Sequence, residues 1–315
     1  MQTITTQEKY RIRAFQLTAQ AKKECENEDL TAQQIAQWLI DNQASYSKST
    51  WRQYRASLAY VFTQQAPIDS SNVNDFIAAI AMLRQTTPPS AHPERRRTSA
   101  QKQKKISDSD LIRLMDYFSA KPSRHSLATQ AWLLAGLWVG LRPCEWESAQ
   151  YNDLNELIVT NAKATQGRAH GVTRTIDMTH LNAKEEQIIR LQLEFVQQAK
   201  LSHGHEEKSG FELLYSHCRA CLYEATRTLW PKRKQYISLY SARHQFAANA
   251  KCNNLPLEQI AALMGHASIE TAMAHYGRRT AGSGGMKVKA HGDDVARVTA
   301  LNQQRMNNKQ SDLRM

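Results

Sequence analysis

LATQAWLLAGLWVGLRPCEW, residues 127–146, contains the most apolar helix-forming run of the chain. Trp132, Leu133, Leu134, Leu137 and Trp138 leave this helix no polar face, so the spacing predicts a central helix buried on all sides. It stops at Gly140-Leu141-Arg142-Pro143, since glycine suits a helix end and proline cannot continue one. An arginine placed directly after a buried helix sits at the rim of a core. Surface ion pairing explains such a position poorly.

Working outward from this helix, Leu111, Leu114, Met115 and Phe118 share the face of a preceding helix, in a domain that begins at Ser107. Downstream, Leu157–Thr160 and Val172–Met178 read as short strands joined by a polar loop. Ile189, Leu193 and Val196 mark another helix, and further helices are predicted over 218–229, 240–252, 256–264 and 268–276. The expected fold is mainly α with a small antiparallel β-sheet.

The first 85 residues are a separate helical module. Thr5 and Glu8 have capping-box spacing before a helix through Phe15, as do Thr31 and Gln34 ahead of Ile35, Trp38 and Leu39. Trp51, Tyr54, Leu58 and Val61 continue the helical period, and Phe76, Ile77, Ile80 and Leu83 make a fourth stripe. Residues 86–106, TTPPSAHPERRRTSAQKQKKI, hold three prolines and no apolar periodicity, and read as an interdomain linker. The linker carries Arg95, Arg96, Arg97, Lys102, Lys104 and Lys105, which suit contact with phosphates. The catalytic domain is expected over 107–280, with a tail over 281–315. In the tail, Gly292-Asp293-Asp294 starts a last helix bearing Val295, Val298 and Leu301. Such a helix needs a surface to cover, on its own domain or on a neighbouring copy.

The 315 residues carry a net charge of +12, which favours an acidic partner, nucleic acid foremost. No run approaches the ~18 apolar residues of a membrane helix, and the start lacks the apolar core of a signal peptide. The expected location is cytoplasmic and nucleoid-associated. Five scattered cysteines argue against a disulfide framework. His217, Cys218 and Cys221 sit close together, with His203 and His205 nearby. A structural zinc site would want a second clear pair, and Cys221, Leu222, Ala225 and Leu229 read better as a helix face.

Four fragments carry the chemistry: GLRPCEW with Arg142 and Glu145, NAKATQGRAHGVTRTIDM with Lys163, LYSARHQFAANA with Tyr240, Arg243 and His244, and ALMGHASIETAMAHYGRR with His266 and Tyr276. In this order and at these separations they resemble the tyrosine recombinases, the phage-integrase family, from about Ser107 to Tyr276. The first domain fits that family's SAM-like core-binding domain in size and position alone.

The resemblance implies a role for each matched residue. Arg142 and Arg243 would hold the nonbridging oxygens of the scissile phosphate through forked hydrogen bonds. Lys163 would protonate the leaving 5′ oxygen, with Lys184 a distant alternative. His266 would donate to the phosphate. Tyr276 would attack phosphorus and form a covalent 3′-phosphotyrosine. The covalent link conserves the bond's energy, so no cofactor and no metal is expected. The partner would be double-stranded DNA at paired sites, bound by a homotetramer, in the service of a mobile element.

Two departures from the family pattern stand out. Tyr240 occupies the position where the family usually has histidine. A phenol can donate to phosphate but accepts protons poorly at neutral pH. His244 would then support the site structurally, or compensate for Tyr240. Tyr276 lies one residue beyond the family's common spacing from the Gly-His turn, a place held here by His275. One helical residue rotates a side chain by about 100°. Two readings therefore stand: Tyr276 as nucleophile, or Tyr276 packed in the core of a catalytically inactive DNA-binding relative that acts as a regulator. A type IB topoisomerase-like relaxer would share the chemistry.

Overall fold

The computed structural model describes residues 4–67, 71–87, 101–164, 168–202, 209–275 and 278–312. The chain divides into two compact units, residues 1–97 and 98–315. Among the described residues, no helix is long and apolar enough to cross a membrane.

Unit 1 contains α1 (Ile4–Glu24), α2 (Ala32–Asp41), α3 (Lys48–Gln65) and α4 (Val73–Gln85). The capping box predicted at Thr31 and Gln34 forms. Asp75 in the first turn of α4 strengthens that same helix start by accepting from Ala32 N at 2.6 Å and Gln33 N at 3.2 Å. A carboxylate on the open amides of a helix N-terminus is favourable. Leu17, Ile35, Leu39, Trp51, Leu58, Phe62 and Leu83 fill the core. Ile77, expected on the apolar stripe, is exposed, and α1 runs well past Phe15.

Unit 2 is built around α6 (Ser126–Val139), with α5 (Asp108–Ala120) before it and α7 (Ala183–Leu201), α8 (Gly210–Leu229) and α9 (Leu239–Cys252) after it. Helix α6 packs on α7, α8 and α9 and is buried on nearly every side, as its composition requires. It ends at Gly140 with φ 66°, and a Cβ there would stand 2.2 Å from the Phe246 ring of α9. Both the backbone angle and the close approach need glycine. Two short helices, α10 (Leu257–Leu263) and α11 (Ile269–His275), follow α9.

The small sheet has the order β1 (Gln150–Tyr151), β2 (Glu156–Thr160), β3 (Thr173–Asp177), β4 (Lys289–Ala290), antiparallel throughout. The outer strand β4 comes from the tail, which continues into α12 (Gly292–Asp312). Val298 of α12 is fully buried, and α12 packs on α10 of its own unit. Asp294 accepts from His170 Nε2 at 3.0 Å, Thr175 N at 2.8 Å and Arg297 Nη2 at 2.7 Å. The tail helix thereby clasps the β2–β3 hairpin.

Residues 101–106, which charge and composition group with the linker, fold as part of unit 2. Tyr236 N donates to Gln101 O and Gln103 N to Tyr236 O, while Ile106 is buried. Cys218 is buried within α8, and burial pushes its thiol up to about 12. His217 stacks on His125 at 4.5 Å. His203 and His205 lie outside the described residues.

Candidate active site

The site is assembled from five places in unit 2. Arg142 follows the end of α6, and Glu145 lies in the 3-10 turn Pro143–Ser148. Proline at the first position starts that turn, and the Glu145 carboxylate reaches back to Arg142 N at 2.8 Å. Arg243 projects from α9, Arg174 from β3, and His266 from the turn after α10. All five residues are buried.

Glu145 is the hub. Its carboxylate accepts from Arg142 Nη1, from Arg174 Nη2 at 2.7 Å, from Ala162 N at 3.3 Å and, at 3.5 Å, from Arg243 Nη1. Burial alone would raise this carboxyl, but the charges of Arg174, Arg243 and Arg142 outweigh it and hold the group well below the usual carboxylate range. Among the described residues, three guanidinium groups face one carboxylate, which leaves the cluster positive. A fixed positive cluster shielded from water is a seat for an anion.

Arg174 and Arg243 divide the work. Arg174 spends all three nitrogens on the protein: Nε on Leu263 O at 2.9 Å, Nη1 on Asn161 Oδ1 and Nη2 on Glu145. It therefore orients Glu145 and the Gly-His turn rather than reaching outward. Arg243 Nη1 donates to Gly140 O at 2.7 Å and Nη2 to Met264 O, which ties α9 to the ends of α6 and α10. Its Nη2 also lies 3.2 Å from His266 Nε2. A guanidinium can only donate, so Nε2 accepts and the neutral ring carries its proton on Nδ1. Burial, reinforced by Arg243, Arg142 and Arg174, holds His266 far below its ordinary value and keeps it neutral.

The Met-Gly-His turn also has a steric reason. Gly265 has φ 61°, and a Cβ there would meet Asn161 Oδ1 at 2.3 Å and Arg174 Nη1 at 2.8 Å. The turn backbone thus presses onto the hairpin and onto the buried arginine.

Arg142, Arg243 and His266 come together here. Lys163 is exposed in the β2–β3 connection, one residue beyond the Ala162 amide that bonds Glu145. Its ammonium forms no ion pair with the described residues. Tyr240 stands in the first turn of α9, edge-on to His244 with ring centroids 5.3 Å apart. Burial first, then Lys104 and Arg243, lower His244 to about 4, so its imidazole is neutral at pH 7. Lys102, Lys104 and Lys105 are exposed. Tyr276 and Arg95, Arg96 and Arg97 lie outside the described residues, while α11 ends at His275, one residue before Tyr276.

Sequence reasoning missed Arg174. Its signal was an arginine at the inward register of a strand, alternating with Ile176 on the same face.

No protein-family model matches the sequence, and no curated protein sequence matches it. Several solved structures are similar. They are recombinases and integrases. The XerA recombinase shares 14% identity over 85% of this chain and 92% of its own, with a TM-score of 0.36. The XerH site-specific recombinase bound to palindromic difH substrate shares 14% over 86% of this chain and 74% of its own, with a TM-score of 0.47. A lambda integrase tetramer bound to a Holliday junction shares 15% over 76% of this chain and 62% of its own, with a TM-score of 0.41. At these values the case for the chemistry rests on the side chains of the site.

Proposed function

We propose that this chain is a site-specific DNA recombinase that cuts and rejoins strands through a covalent 3′-phosphotyrosine. The observation that carries the reading is the gathering of Arg142, Arg243 and His266 around the buried carboxylate of Glu145, with Arg174 bracing it from behind. That arrangement suits a phosphodiester, whose nonbridging oxygens gain charge as the phosphorus is attacked. Arg142 and Arg243 hold those oxygens, and a neutral His266 adds a donor without a second charge to desolvate.

In the reaction, the Tyr276 hydroxyl gives up its proton to solvent and its oxygen attacks phosphorus as the bond to the 5′ oxygen breaks. Lys163 supplies the proton to that leaving oxygen. A second strand's 5′ hydroxyl then displaces the tyrosine, restoring the diester; its proton returns to Lys163, and the released phenolate regains one from solvent. The bond energy is conserved, so the cycle needs no nucleotide hydrolysis.

Unit 1 and the basic linker serve as the DNA grip, residues 107–280 as the catalytic domain, and the tail as a segment passed between protomers of a tetramer on paired sites. A mobile element is the natural setting, and the cytoplasm the place of action. A buried Asp294 clasp supports a docked tail whether the partner surface is its own or a neighbour's.

The test is a suicide duplex. A binding sequence is selected with the purified chain from a random pool, then nicked so that the cleaved fragment diffuses away. Wild type should accumulate a covalent adduct, and Tyr276→Phe should form none while binding the duplex equally well. Tight binding with no wild-type adduct would favour a DNA-binding regulator instead.

A further inference from the structure

Helix α9 carries Arg243, and two residues later it carries Gln245, turned about 200° around the helix. Gln245 is buried and uses both ends of its amide on distant backbone. Its Oε1 accepts from Ile106 N at 2.9 Å, at the end of the basic 101–106 stretch that opens unit 2. Its Nε2 donates to Ala281 O at 2.8 Å, in the segment that follows Tyr276, and to Asn249 Oδ1 at 2.8 Å. The partners fix the orientation of the amide, since an N–H faces Oε1 and a carbonyl faces Nε2.

Asn249, one turn further along α9, extends the contact. Its Oδ1 also accepts from Ser283 N at 3.0 Å and Ser283 Oγ at 3.4 Å. Between these anchors, Gly282 lies so close that a Cβ would meet Ala248 O at 2.3 Å. Ahead of Tyr276, Lys251 of the same helix donates to Met273 O at 3.4 Å. The described residues on either side of Tyr276 are therefore fastened to α9, at Met273 and at Ala281–Ser283.

We propose that Gln245 is a positioning residue that fastens the end of the 101–106 stretch and the segment after Tyr276 to the helix bearing Arg243, so that nucleophile and phosphate-holding arginine are set against each other. This rests on the recombinase reading.

The substitution Gln245→Glu separates the two bonds. Carboxylate oxygens still accept from Ile106 N but repel Ala281 O and Asn249 Oδ1. Gln245→Met removes both bonds at similar volume. Each full-length variant is digested lightly with trypsin, which cuts after the exposed Arg278 and Arg279, and separately tested for duplex affinity and adduct rate. Gln245→Glu should speed cleavage at Arg278 and Arg279 about tenfold. It should slow adduct formation by a similar factor and leave affinity within about twofold. Gln245→Met should show the same release and also expose the linker end at Lys105 to cleavage. Unchanged proteolysis at Arg278 and Arg279 in both variants would overturn the tether. Faster proteolysis with an unchanged adduct rate would overturn the positioning role. A wild type that forms no adduct would defeat the recombinase reading, and the proteolysis arm would still decide the tether.

Discussion

Glu145→Gln tests the logic of the site most sharply. The substitution keeps the shape of the side chain and removes its charge. One carboxylate oxygen serves Arg142 Nη1 and Ala162 N, and the other serves Arg142 N, Arg174 Nη2 and Arg243 Nη1. Whichever of them becomes an NH2 group, at least two donors lose their acceptor and meet another donor. Three buried guanidinium groups also lose the carboxylate charge they share. Removing one partner from a buried ionic network costs about 3–5 kcal/mol. For a unit of this size that is a fall in melting temperature on the order of 10 °C. The pH dependence has a definite sign. Glu145 is held below its ordinary 4.5 in the folded state, so its contribution is fully present above about that pH. It is lost as pH falls toward the lower folded value. Urea titrations from pH 7 down to pH 3 should therefore show wild type ahead of the variant at neutrality, with the gap closing below about pH 4.5. A gap under about 1 kcal/mol at pH 7, or one that widens on acidification, would refute the account of Glu145 as the charge that holds three arginines.

Other perturbations follow from the same geometry. Arg174→Lys keeps the charge but cannot reach Leu263 O, Asn161 and Glu145 together, and should cost about 1–3 kcal/mol in thermal melts. It should also slow adduct formation on a suicide duplex while leaving affinity nearly unchanged. Gly265→Ala forces a Cβ into Asn161 and Arg174 at a positive φ, and should destabilise by about 1–3 kcal/mol in denaturant titration. Asp294→Ala removes the acceptor of His170, Thr175 and Arg297, so amides of the β2–β3 hairpin should exchange with deuterium faster than those of α6. Removing residues 281–315 should unfold part of unit 2, because Val288, Ala290 and Val298 belong to its core. A shorter cut within α12, after Val298, is the better probe of assembly.

The parts of this molecule legible in its sequence are those whose physics is local. The α6 helix, its glycine stop and Arg142 lie within one stretch, and the apolar run alone predicts burial. The Met-Gly-His turn is legible for the same reason, although the steric need for Gly265 comes from Asn161 and Arg174 far away in sequence. Arg174 was missed because nothing near it in sequence announces a buried partner. Glu145 lies 29 residues earlier, and only the sheet register brings the two together. Gln245 was passed over similarly, since its partners are 139 residues before it and 36 after. Residues 101–106 carried the composition of a linker, yet backbone pairing with Tyr236 draws them into unit 2. Their charge reported on solvent exposure and said little about where the backbone bonds would go. The tail helix was legible as amphipathic, while the surface that its valines cover was set by tertiary packing.

The sheet edge supplied by β4, and the Asp294 clasp just after it, have a consequence in time as well as space. Every arginine of the site, and the hairpin that bears Lys163, is translated before residues 289–294. On the ribosome the residues of the arginine cluster therefore precede the strand and the carboxylate that brace the hairpin. Until these emerge, the hairpin that carries Lys163 lacks its outer strand and its carboxylate clasp. The order of synthesis thus places the bracing of the hairpin after every other part of the site.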